Sequence, residues 1–172
     1  MEEAITIEPL PRQNEPDLYM LNASIKQYDE KGSLQHTLNA NRFTHFPLTN
    51  LTAMETPTMS LAAGPKDNPW IITANQGRIL PSSNYRYEIV ELWNNVLAIK
   101  SGAEGKFLNI QTQSLTVYPD RDYAETDEKV FIDNQTARTS AAGMKAFFDS
   151  GKFMFFSTDT VRVTTVFLAD PK

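Results

Sequence analysis

The sequence predicts an all-β protein, and three observations support that prediction. Apolar residues recur at every second position through many short segments, which is the period of a half-buried strand. Turn signals separate these segments about every 8–12 residues, a spacing typical of a sandwich, a jelly roll or a barrel. No amphipathic helix of about 12 residues or more is evident along the chain.

Composition limits the possible partners and compartments. The chain has 172 residues, of which 41% are hydrophobic and 22% charged, so one globular domain is expected. The 16 basic and 21 acidic residues give a net charge of −5, which argues against nucleic acid as a partner because phosphate binding needs a basic face. The absence of cysteine excludes disulfides and thiolate metal sites.

The chain divides into a tail and one β domain. Residues 1–17 contain three prolines and are predicted to form an extended tail, and residues 18–168 are predicted to form the domain. The first two strands are expected at 18–28 and 34–46, joined by a turn in which Gly32 supplies a positive φ. Further strands are expected at 51–63, 70–80, 85–93, 96–100, 107–118, 130–133, 136–148, 153–158 and 160–168.

Residues 70–100 show the alternation most clearly. The apolar members of this series are Ile72, Ala74, Tyr85, Tyr87, Ile89, Leu97 and Ile99. Segment 72–79 resembles segments 110–117 and 139–146, and each is followed by a turn and an apolar strand. Two interpretations stay open: a stack of similar β-units, each burying one face on its neighbour, or the strand–turn–strand pattern of any all-β chain.

No motif for catalysis or for cofactor binding is present, so we expect a protein that is not an enzyme and holds no cofactor or metal. The two histidines, His36 and His45, are nine residues apart in one expected strand and would point to opposite faces, which favours packing or surface roles over metal binding. Residues 153–156 are apolar on both faces, and two roles remain open for this apolar set: core or lipid-facing groove.

Several segments, in order and spacing, resemble the LptC family of lipopolysaccharide-export proteins. They are residues 16–19 (PDLY), 23–25 (ASI), 28–34 (YDEKGSL), 38–40 (LNA), 46–47 (FP), 55–57 (ETP) and 70–77 (WIITANQG). The resemblance implies a twisted, open β-jelly roll of stacked antiparallel strands, whose slot takes the acyl chains of lipopolysaccharide. It also implies a periplasmic domain tethered by an upstream helix to the inner membrane. Its partners would be the inner-membrane ABC transporter at the N-terminal edge and the bridge protein LptA at the C-terminal edge.

Alternation combined with this resemblance predicts which residues line the slot, with the risk that a one-residue slip would exchange the two faces of a strand. A different class of function also remains: an all-β carbohydrate-binding or structural module with a closed core. The predicted lipid-binding residues are Ala23, Met54, Ile72, Ala74, Ile89, Phe107, Ile110, Phe153, Phe155 and Thr165.

Overall fold

The computed structural model describes residues 13–62 and 67–169, so most of the predicted tail at 1–17 lies outside the described residues. Residues 13–17 belong to no strand. The described chain forms strands and two 3-10 turns, at Ala103–Gly105 and Pro119–Arg121. The strands are β1 (Leu18–Tyr28), β2 (Leu34–Phe46), β3 (Leu51–Glu55), β4 (Thr58–Leu61), β5 (Trp70–Thr73), β6 (Gln76–Leu80), β7 (Ile89–Ser101), β8 (Phe107–Tyr118), β9 (Tyr123–Thr126), β10 (Val130–Asn134), β11 (Ala137–Ala141), β12 (Gly143–Phe147), β13 (Lys152–Phe156) and β14 (Thr164–Phe167).

The strands form two ladders, which we call the first and second layers, and β1, β2, β7 and β8 are long enough to belong to both. All pairings between strands are antiparallel. The first layer runs β1–β2–β3–β6–β7–β8–β9–β12–β13. The second layer runs β1–β2–β4–β5–β7–β8–β10–β11–β14. This topology confirms the predicted all-β, open jelly roll.

The chain turns from one layer into the other along a line that we call the corner, and a fixed burial pattern marks each crossing. In segment 72–79 the buried positions advance by two residues, then by three at the corner, then by two again. The extra residue keeps apolar side chains on the interior side after the turn, because successive side chains of a strand alternate between faces. The buried positions of this segment are Ile72, Ala74, Gly77 and Ile79, and those of segment 110–117 are Ile110, Thr112, Leu115 and Val117. The equivalent positions of segment 139–146 are Thr139, which is half-buried, and the buried Ala141, Met144 and Ala146, with Gly143 also buried at the corner.

The similar segments are therefore equivalent rungs of the roll, each passing from the second layer to the first. Backbone hydrogen bonds tie neighbouring rungs at the corner: the Thr56 N–H donates to Asn75 O (2.8 Å), and the Asn75 N–H donates to Asn94 O (2.9 Å). Positive φ angles at Thr56 and Asn94 accompany the change of direction. Of the two interpretations of the repeat, the structure supports stacked β-units.

The series in residues 70–100 is only partly placed as the alternation predicts. Ile72 and Ala74 face the interior, but Tyr85 and Tyr87 lie in the connection before β7, where Tyr85 is 97% exposed. The expected strand at 85–93 begins only at Ile89. The prediction was wrong for the two tyrosines because a tight turn, with reciprocal backbone hydrogen bonds between Ser83 and Arg86, uses the residues that would have extended the strand.

We expect Gly77→Ala to destabilise the protein because no room exists for a side chain at this rung. A Cβ atom at position 77 would lie 2.8 Å from Glu91 O, 2.8 Å from a Leu92 methyl and 2.9 Å from the Met54 methyl. Thermal unfolding should show a loss of about 1–3 kcal/mol. Gly102→Ala, in a turn outside the core, is the control, and an equal loss in both variants would contradict this account.

Candidate functional site

An apolar interior runs between the two layers and contains seven of the ten residues that the sequence analysis predicted for the slot. Met54, Ile72, Ala74 and Ile110 belong to one buried core cluster. Ala23 near the N-terminal end, and Phe153 and Phe155 near the C-terminal end, are half-buried and pack against that cluster. These residues therefore share one continuous apolar surface from β1 to β13.

Thr165 lies on the same interior side but is exposed, because β14 is an edge strand with one described partner. It pairs with Thr139, and their hydroxyl oxygens are 3.0 Å apart. Thr139 in turn pairs with Ile132, whose side chain belongs to the core cluster. Thr165 thus lies at the rim of the apolar interior, at the C-terminal end of the roll, where the interior is open to solvent.

The structure places Ile89 and Phe107 on the outer faces, which corrects their predicted inward orientation. Val90 and Leu92 are the buried, inward positions at the start of β7, so Ile89 points outward. In β8 the inward positions are Leu108 and Ile110, so Phe107 also points outward. Both errors are one-residue slips of face, made because Ile89 and Phe107 each stand next to another apolar residue, Val90 and Leu108, that could equally face the interior.

Several inward residues at the centre of the interior are not among the ten predicted from the sequence. Alternation by two does not follow the three-residue step that the structure shows at the corner, so an inward face extrapolated from one side of the corner is lost on the other. The fully or almost fully buried members are Leu38, Phe43, Met59, Leu61, Val90, Leu92, Val117, Val130 and Met144.

Both ends of the roll expose strand edges together with apolar side chains. At the N-terminal end, β1 pairs only with β2 among the described strands, and Leu18, Tyr19 and Leu21 are exposed on it. At the C-terminal end, β13 and β14 each have one described partner. Exposed apolar residues there are Met154, Phe156, Val163, Val166, Phe167 and Leu168. Unpaired edges with apolar flanks are suited to pairing with another chain.

The side of the roll opposite the corner, which we call the mouth, carries an acidic cleft of about 470 Å³. Trp70 and Phe148 line it, with ring centroids 5.1 Å apart. Burial, reinforced by the nearby charge of Asp149, raises the pKa of Asp122. The charged residues that line the cleft are Asp29, Asp67, Lys100, Asp120, Asp122 and Asp149.

Beside this cleft, a buried polar contact joins the two layers across the mouth. His36, 2% exposed, faces inward from the second-layer part of β2, and Glu88 lies in the segment that leads into the first-layer part of β7. His36 Nε2 is 3.2 Å from Glu88 Oε1. Among the described residues, neither His36 Nδ1 nor Glu88 Oε1 has a hydrogen-bond partner.

Burial acts on both groups of this contact. It lowers the pKa of His36, against the opposing charge of Asp120. Burial, helped by the charge of Asp120, raises the pKa of Glu88 to about 7. Near neutral pH, the buried carboxyl group is therefore poised between its neutral and charged forms.

The other histidine has a surface role. His45 Nδ1 lies 2.6 Å from Asp17 Oδ1, and this hydrogen bond raises the pKa of His45. Within residues 13–62 and 67–169, no cluster of three or more His, Asp or Glu side chains could hold a metal ion. Nor does this part of the chain contain a helix long and apolar enough to cross a bilayer.

Comparisons with known proteins agree with this architecture. The family model described as lipopolysaccharide-assembly, LptC-related matches residues 3–162. A similar solved structure is LptH from Pseudomonas aeruginosa, described as the LptA-homologous periplasmic component of the lipopolysaccharide transport device. Its TM-score is 0.62 at 6% identity, over 78% of this chain and 95% of that chain, so the likeness shows the fold. No curated protein sequence matches significantly.

We expect Glu88→Gln to change the pH dependence of stability. Because the folded-state pKa of Glu88 is raised from 4.5 to about 7, its stabilising contribution is full below pH 4.5 and is lost as the pH rises through 7. The glutamine side chain cannot ionise. The Tm of the variant minus the Tm of the natural protein should therefore be larger near pH 8 than near pH 4.5, by roughly 3 °C or more.

Melting curves of both proteins at the two pH values test this expectation. Glu30→Gln, which removes a carboxylate from the exposed turn after β1, is the control and should show no such difference. If the Tm of Glu88→Gln changes between the two pH values by the same amount as the Tm of the natural protein, the burial of the Glu88 charge is contradicted.

Proposed function

The chain belongs to the LptC-related family of lipopolysaccharide-assembly proteins, and on that premise we propose that it binds the acyl chains of lipopolysaccharide in its interior and passes the lipid onward. The observation that carries the proposal is the apolar interior, which continues from Ala23 at one end to Phe155 at the other. Each acyl methylene buried there would contribute about 0.8 kcal/mol, so a few chain segments suffice for strong binding.

Lipid binding requires the interior to widen, because its middle rungs are filled by their own side chains. Met54, Met59 and Met144 are among these central residues. Methionine side chains are unbranched and flexible, so they can move aside and pack against an acyl chain with a small energetic penalty. The filled middle is also what favours the alternative function, a carbohydrate-binding or structural module with a permanently closed core.

Passing a lipid from one protein to the next needs an interface with each of them, and the exposed strand edges at the two ends of the roll are suited to form these interfaces. We assign the β1 edge to the inner-membrane ABC transporter and the β13 and β14 edges to LptA. A strand of the partner added to an exposed edge would continue the sheet and bring the two interiors into line. The lipid would then move between similar apolar sites, with little net change in free energy at each step.

The same premise extends to the location of the protein. We assign it to the periplasm, with an inner-membrane tether that would hold the β1 end close to the transporter. The edge assignment and the tether are consistent with each other, since β1 is the first strand of the described chain and residues 13–17 lead directly into it.

A photo-crosslinking amino acid at Ala23 or Phe155 should capture lipopolysaccharide, because both side chains face the interior at its accessible ends. Matched outward positions on the same strands are Ser24 and Met154. Cells carrying each variant are irradiated, and adducts are detected with an antibody against lipopolysaccharide. Adducts at Ser24 and Met154 with none at Ala23 and Phe155 would disprove the assignment of the slot.

Charge placed on one edge should disrupt only the partner assigned to that edge. We expect Phe156→Glu with Phe167→Glu to weaken LptA binding at least tenfold and to leave copurification with the transporter unchanged. Leu21→Glu should have the opposite effect, since Leu21 is exposed on β1. Biolayer interferometry with LptA and affinity purification of the transporter measure the two effects, and loss of both partners in either variant would contradict separate edges.

A further inference from the structure

The connection between β6 and β7, residues 81–88, lies on the mouth side of the first layer; we call it the strap. It leaves the first layer after Leu80 and returns to it at Ile89. Its last residue, Glu88, contacts His36 of the second layer. The 3-10 turn that follows β8, Pro119–Arg121, also packs against β2. Leu38 and Leu61, which are buried next to His36 along the sheet, lie in the core behind the contact between Glu88 and His36.

From this arrangement, the geometry points to the strap as a clasp that must release from His36 before acyl chains can pass sideways through the mouth into the interior. This inference rests on the proposed function, and it adds a route for the lipid. In the alternative route, chains would enter only lengthwise, from the open ends at β1 and at β13 and β14. The two routes make different demands on the mouth, which has to open in the first and can stay closed in the second.

The clasp has the chemistry of a weak closure. An apolar contact at this position would bury both partners favourably, whereas His36 Nδ1 and Glu88 Oε1 are buried with no hydrogen-bond partner among the described residues. Both groups would regain hydrogen bonds to water when the strap lifts. Polar groups that lack partners in the closed state therefore lower the free-energy difference between the closed and open mouth.

The strap is also built to move as a unit. The Ser83 N–H donates to Arg86 O (2.8 Å) and the Arg86 N–H donates to Ser83 O (3.3 Å). The Arg86 side chain donates to Pro81 O (3.0 Å). These bonds lie within the strap, so they would survive its displacement. The one described cation–π contact at its base, between Arg121 and the Tyr87 ring at 5.9 Å, is between exposed side chains and would be lost at little cost.

The absence of cysteine allows a direct test by cross-linking. The double variant His36→Cys, Glu88→Cys is treated with dibromobimane, which becomes fluorescent when it joins two thiols and would bridge the two layers. The matched control, Lys26→Cys with Thr37→Cys, joins two paired residues of one layer and leaves the mouth free. Uptake of purified lipopolysaccharide is followed by its displacement of a fluorescent fatty acid.

We expect bridging at His36 and Glu88 to slow lipopolysaccharide uptake at least tenfold relative to the same variant before bridging, and bridging of the control pair to have no effect. Equal uptake before and after bridging at the mouth would overturn the clasp while leaving slot binding intact. If the natural protein takes up no lipopolysaccharide, the proposed function itself fails.

A second variant keeps the test independent of the cysteine pair. His36→Leu with Glu88→Leu replaces the polar contact by an apolar one, which should raise the Tm and slow uptake at least threefold. A higher Tm with unchanged uptake would also overturn the clasp.

Discussion

Strands of this protein cross a corner between two layers, and each must keep its apolar side chains inside while it does so. Rungs 72–79, 110–117 and 139–146 meet this demand in the same way, with a three-residue step between two-residue steps. Close contact at Gly77, where even a Cβ atom would meet backbone and side chains, shows how tightly one such step is packed. The two layers, the core and the open ends all follow from repetition of this crossing.

Stability and proposed binding draw on the same apolar surface. In the middle of the roll, side chains such as Phe43 and Leu92 are fully or almost fully buried in one core cluster. Toward the ends that surface is half covered, at Ala23 and Phe155, because no further rung is stacked on it in the described chain. A jelly roll that stops without closing its ends therefore has both an apolar interior and unpaired strands next to it, which is the combination that transfer between stacked partners needs.

Two polar side chains at the mouth interrupt the apolar interior. Most of the interior is apolar, yet His36 and Glu88 meet across the mouth, and neither His36 Nδ1 nor Glu88 Oε1 has a hydrogen-bond partner among the described residues. Buried groups in this situation reduce the stability of the state that buries them. Their position, at the mouth opposite the corner, puts that weakness where separation of the layers would expose the core.

The sequence by itself determined the all-β fold and seven of the interior positions, because alternation by two holds wherever a strand is straight. Turn residues located most of the breaks between strands, and the order of matching segments indicated the family. Tertiary structure alone decided the rest. Ile89 and Phe107 are apolar on segments that could face either way, and only the pairing of β7 and β8 with their neighbours turns them outward. His36 and Glu88 are 52 positions apart, so no local pattern could show that the folding of two layers brings their side chains to 3.2 Å.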